Sequence, residues 1–123
     1  MSNITRFVHP HGLLLTVETT DNTVRISSTY RGEHFVDDYE LHGLDTIRCV
    51  RPNRTLMDFT DDNQLGLWAL SKIADFLLTR GVRMIRPATL KGGIFFSKEN
   101  GILSFGFETE DGEVYHLPQP IAA

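Results

Sequence analysis

Apolar and polar residues alternate along the first part of the chain. Leu13, Leu15 and Val17 interleave with Leu14, Thr16 and Glu18, and Val24, Ile26, Ser28 and Tyr30 interleave with Arg25, Ser27, Thr29 and Arg31. A period of two sends one set of side chains to a core and the other to water, which marks a half-buried β-strand. Thr20-Asp21-Asn22-Thr23 divides the two runs as a hairpin turn, because Asp and Asn accept the left-handed backbone of tight turns. A third strand is expected from Phe35 to Leu41, with Phe35, Tyr39 and Leu41 on one side. A fourth covers Thr46 to Arg51 and a shorter one Leu56 to Phe59, with Pro52-Asn53 marking the break.

The period then changes. Asp61 can cap a helix, with Gln64 three residues on, and Asp61 and Asp62 suit the positive end of its dipole. Gly81 after Arg80 reads as the stop. About 19 residues at 1.5 Å each make a helix of roughly 28 Å, long enough to lie across a sheet. On a helical wheel Phe76, Ala69, Ile73, Leu77, Leu70, Ala74, Leu67 and Leu78 fill one arc, the expected core face. Asp75, Trp68, Thr79, Lys72 and Leu65 occupy the other side.

Strands resume at Val82 to Arg86, Ile94 to Ser97, Ile102 to Phe107 and Glu113 to Leu117. Asn100-Gly101 and Asp111-Gly112 are strong hairpin signals between them. Pro118-Gln119-Pro120-Ile121-Ala122-Ala123 reads as a flexible tail. Strands, one helix and strands again predict an α+β fold: antiparallel sheet of about seven to nine strands, built from hairpins, with one long central helix packed across it. One helix covers at most one sheet face, so pairing with a second copy, a homodimer, is the expected shelter for the other.

Composition adds bounds. The 123 residues, 41% hydrophobic and 23% charged, fit a single globular domain over 1–123. The one cysteine, Cys49, excludes an internal disulfide and any C-x-x-C site. In a strand Cys49 is expected as a small core residue rather than a nucleophile. No stretch approaches the about 20 apolar residues of a membrane span. The first residues lack the basic start and apolar run of a secretory leader, so a cytoplasmic protein with no membrane partner is expected.

The net charge of −4 disfavours general coating of nucleic acid. Yet Arg48, Arg51 and Arg54 form one stretch without acids, and Arg80, Arg83, Arg86 and Lys91 another. Should the two adjoin, they make a positive patch that suits an acidic partner protein or a phosphate. On the helix, Trp68 and Lys72 are surface neighbours, and Trp68 flanked by Leu65 reads as an interface anchor, with Asp75 on the same side. Leu65, Trp68, Lys72, Asp75, Arg48, Arg51, Arg54, Arg80, Arg83 and Arg86 are therefore the candidate partner-binding residues.

Two other chemistries compete. His9 and His11 are two apart and could share a metal with His34, Asp37, Asp38 or His42, as in a small metal-dependent hydrolase. Phe95, Phe96, Phe105, Phe107 and Tyr115, near Arg83, Arg86 and Lys91, could stack nucleic-acid bases. Neither has a defining motif: H-E-x-x-H, G-x-S-x-G, a phosphate-binding glycine loop and a ribonucleoprotein signature are all missing. Asp37 and Asp38 would point to opposite faces of a strand and could not share a proton. The expectation is a small binding protein, such as an inhibitor, immunity factor, adaptor or assembly subunit. It would occlude a surface of another protein without catalytic residues, cofactor or metal.

Overall fold

A computed structural model describes residues 3–51, 63–87, 91–116 and 121–122. Five strands come first: β1 (Asn3–Val8), β2 (Leu14–Thr19), β3 (Thr23–Tyr30), β4 (Glu33–Leu41) and β5 (Thr46–Arg51). The helix α1 (Asn63–Leu78) follows, then β6 (Met84–Arg86), β7 (Gly92–Glu99), β8 (Ile102–Thr109), β9 (Val114–His116) and β10 (Ile121–Ala122). All ten strands join one open, α+β sheet in the order β1-β2-β3-β4-β5-β6-β7-β8-β10, and β9 also pairs with β8. Every pairing is antiparallel except β5 with β6, which α1 connects. Parallel neighbours cannot be joined by a tight turn and need a crossover, so the sheet is two meanders linked through one helix.

Local chemistry explains the turns. Asn100 and Gly101 both take positive φ (53° and 79°), the two-residue turn that matches the twist of the flanking strands. Arg31 and Gly32 do the same between β3 and β4 (52° and 78°), a turn the alternation of Arg31 with its neighbours conceals. The β2–β3 turn forms where expected, but not through left-handed Asp or Asn. Its hydroxyls hold it: Thr20 Oγ1 accepts from the Thr23 amide at 3.0 Å and lies 2.6 Å from Thr23 Oγ1.

Gly81 ends the helix as its sequence position predicts. Its φ is 79°, the Val82 amide donates to the Leu77 carbonyl (3.0 Å) and the Gly81 amide to the Leu78 carbonyl (3.1 Å). These two bonds satisfy carbonyls the helix leaves open, and Val82 and Leu77 bury together beside them. The proposed cap at Asp61 and strand at Leu56–Phe59 lie outside the described residues. Within the expected tail, Ile121 and Ala122 pair with Leu103 and Ile102, and the rest of it lies outside the described residues. At the start, β1 supplies an edge strand that the weak alternation of Asn3–Val8 does not announce.

One face of the sheet carries Leu15, Val17, Ile26, Ile47, Ile85, Ile94 and Phe96, all buried. They form a single core with Leu65, Ala69, Ile73, Ala74 and Leu77 of α1. The strand nearest the helix backbone is β7. A helix of sixteen residues is about 24 Å long. Nine strand positions at about 4.8 Å would extend roughly 38 Å, so α1 cannot lie over them all.

The helix is also rotated from the expected wheel. Leu65, placed on the wet side, is 1% exposed, whereas Leu67, placed in the core, is 43% exposed. The buried line runs through Leu65, Ala69, Ile73 and Leu77 at steps of four. Leucines at 67, 70 and 78 make the sequence apolar on several sides, so the wheel has little polar contrast to fix its rotation.

The opposite face bears no helix. Its strands present Thr16, Glu18, Arg25, Ser27, Thr29, Asp38, Glu40 and Arg48. Leu14 and Val36 share this face, which is otherwise polar and can meet water directly. Farther along, Met84 lies over Gly93 and the Phe95 ring lies over Gly106, where a Cβ would collide with it. Aromatic cover of this kind restores packing that a strand glycine lacks. Among the described residues no helix is long and apolar enough to cross a membrane.

The rotation of α1 is directly testable. Leu65→Ala should lower unfolding free energy by about 2–5 kcal/mol, as for other buried leucines, and Leu67→Ala by about 0.5 kcal/mol or less. Urea denaturation of both variants measures this, and the reverse ranking would place Leu65 at the surface.

Candidate functional site

The open face sorts its charges by strand register. Glu18 pairs with Arg25 and Arg25 with Asp38, so this row alternates in sign from β2 to β4. Its centre is a two-bond ion pair, Arg25 Nε to Asp38 Oδ1 at 2.7 Å and the neighbouring guanidinium nitrogen to Oδ2 at 3.3 Å. Opposite charges facing each other across strands stabilise the pairing.

The next row sets two like charges side by side. Glu40 pairs with Arg48, and Arg48 pairs across the parallel β5–β6 ladder with Arg86. Two guanidiniums therefore sit on neighbouring strands, roughly 4.8 Å apart at the backbone, with Glu40 beyond Arg48 and, across Gly93, Glu108 beyond Arg86. Neither has an ion-pair partner among the described residues. Like charges side by side repel, and an anion held between them relieves that repulsion. A cleft of about 390 Å³ opens beside them, lined by His42, Arg48, Cys49, Arg86, Pro87, Gly92 and Glu110.

The two basic stretches of the sequence thus meet, but through one residue from each. Arg83 is exposed and, like Arg80, lies outside the lining of this cleft. Arg80 stacks over the Phe76 ring at 5.4 Å. Arg54 lies outside the described residues, and of Arg51 only the strand position is described. His42, Gly92 and Glu110 join the lining without having been candidates for partner binding. The signal for them was the single helix itself, since a strand–helix–strand unit with adjacent strands makes a parallel pair.

The helix surface differs from its expected form. Leu65 is withdrawn into the core and cannot touch a partner. Trp68 is half-buried against that core, and the turn after β1 folds over it, placing the His9 ring edge-on at 4.8 Å. Asp75 is engaged by Lys98 Nζ at 2.6 Å, and Lys72 is half-buried.

The histidines do not converge. His9 and His11 sit together, with His9 Nδ1 accepting from the His11 amide at 3.1 Å. His34 is on the open face, bonded to Thr29 Oγ1 at 2.8 Å, while Asp37 is buried on the other side of the sheet. Among the described residues no three His, Cys, Asp or Glu side chains gather as a metal site. The aromatic set also divides. Phe96 and Phe105 face each other inside the core, Phe95 covers Gly106, and Tyr115 is exposed with its hydroxyl donating to Glu113 at 2.7 Å. Nucleic-acid bases could not stack on the two buried rings.

Asp37 and Asp38 take opposite faces, as strand geometry requires. Inside, Tyr39 pairs in register with Cys49. Burial pushes the Tyr39 hydroxyl above the ordinary tyrosine range, and nearby Asp37 and Cys49 push it the same way. The unfolded chain releases this proton near its usual value of about 10, so above that pH the unfolded state binds fewer protons than the folded one. The stabilisation is complete below about pH 10 and is lost as pH rises beyond it. Alkaline unfolding should therefore coincide with a late rise in phenolate absorbance, and Tyr39→Phe should flatten the alkaline loss of stability. A Tyr39 that titrates with the exposed tyrosines while the fold persists would refute its burial. No protein-family model, curated protein or solved structure matches this chain.

Proposed function

We propose that this protein is a binding module that docks an acidic surface of another protein against the open face of its sheet. Arg48 and Arg86 are the residues that would carry the contact, and the observation behind this reading is their adjacency in register without an ion-pair partner among the described residues. Arginine suits the task because its planar fork gives paired hydrogen bonds to carboxylates and phosphates. The rest of the open face favours selectivity for position: in its other row Arg25 stands between Glu18 and Asp38 and is ion-paired, so attraction for an anion is concentrated at Arg48 and Arg86. The polar character of that face also suits a partner that binds and leaves, since interfaces of transient complexes are about as polar as ordinary surface. Function by occlusion, as in an inhibitor, immunity factor or adaptor, needs no chemistry beyond this contact.

A fluorescently labelled hexaglutamate peptide provides the test by anisotropy. The unaltered protein should bind it with an affinity that falls as salt is raised. Arg48→Glu with Arg86→Glu should weaken binding at least about tenfold, or 1.4 kcal/mol, while Arg83→Glu, outside the cleft, should change it less than about twofold. Equal losses at all three positions would show attraction to general positive charge and remove the basis for a site.

A further inference from the structure

We infer that the cleft beside Arg48 and Arg86 takes a phosphate monoester, and that this is the anionic group recognised on the open face. The inference rests on the binding role proposed above for the two arginines. Its basis is the stoichiometry of donors. A carboxylate carries one negative charge, which a single bidentate arginine already neutralises. Arg48 and Arg86 stand side by side on adjacent strands, so the site offers two forks at once. A phosphate monoester has three terminal oxygens and carries about −1.5 to −2 charge at neutral pH, enough to engage both guanidiniums together.

The lining supports the same ligand. It is polar: His42 lines it together with the two arginines, and Glu110 stands in the wall formed by the β8–β9 turn. Glu110 repels a bare anion but accepts a hydrogen bond from a hydroxyl or amide on the group that bears the phosphate. An ester is thus a better fit than a free ion. The volume of about 390 Å³ leaves room for that carrier as well as the phosphate, within the range of roughly 300–1,000 Å³ usual for ligand sites. Gly92 keeps one wall as backbone, because a Cβ there would strike the Glu108 carbonyl. The monoester could be part of a phosphorylated protein side chain or a free small molecule, and the probes below separate them.

Calorimetry on the full chain would compare a phosphoserine peptide, the same peptide with glutamate in place of phosphoserine, and glycerol 3-phosphate. The phosphoserine peptide should bind at least about tenfold more tightly than its glutamate twin, and Arg48→Gln or Arg86→Gln should each remove about tenfold. Glycerol 3-phosphate binding as tightly as the phosphopeptide would support the monoester and assign it to a small molecule; much weaker binding would support it and assign it to a protein. Amide resonances of Arg48, Cys49, Arg86 and Gly92 in the unaltered protein should move on addition of the phosphopeptide, a readout that depends on no variant. Shifts confined to other residues would overturn the inference. Equal affinity for the phosphoserine and glutamate peptides, with both lost in the arginine variants, would overturn it while leaving the acidic-partner reading intact. Failure of every probe, hexaglutamate included, would remove both.

Discussion

Ten strands become one sheet here because β5 and β6 pair side by side in the same direction. Without that ladder the chain would be two antiparallel meanders, each with an unsatisfied edge. The pairing sets Ile47 against Ile85 on one face, both buried in the core beneath α1. On the other face it sets Arg48 against Arg86. A single register therefore serves stability on one side and charge on the other, and a slip by one residue would exchange the two. With β6 slipped, Ile85 would meet water and the Arg86 guanidinium would enter an apolar core, which desolvation makes prohibitive.

Much of this was legible in the residues, for identifiable reasons. Strict alternation located β2 and β3, the Asn-Gly pair located the β7–β8 turn, and Gly81 located the helix end. Each of these signals is local, requiring only a few neighbouring residues to be understood. The rotation of α1 was not local. Leu65 and Leu67 are chemically identical and two residues apart, and only the surface waiting beneath the helix decides which is buried. The strand β1 escaped notice because an edge strand buries little, so Asn3–Val8 lacks a firm apolar phase.

The candidate site shows the same division. Two arginine-rich stretches could be read directly, as could the preference of that side chain for oxyanions. Their meeting point could not, since it depends on which residue of each stretch falls opposite the other across a ladder closed by a helix. The half-burial of Trp68 could not be read locally either, because the turn that packs on it lies some sixty positions earlier in the chain. Buried Tyr39 and Asp37 show that the inner face tolerates polar groups near Cys49, where sequence alternation suggested only a strand.

The glycines beneath Met84 and Phe95 have an evolutionary consequence. Gly106 cannot gain a side chain while the Phe95 ring occupies its surface, and Phe95 cannot shrink without baring the backbone it shields. A change at either position is costly alone and tolerable only after the other has moved. The two are joined as one heritable unit, and the acceptability of a mutation at one depends on the history of the other.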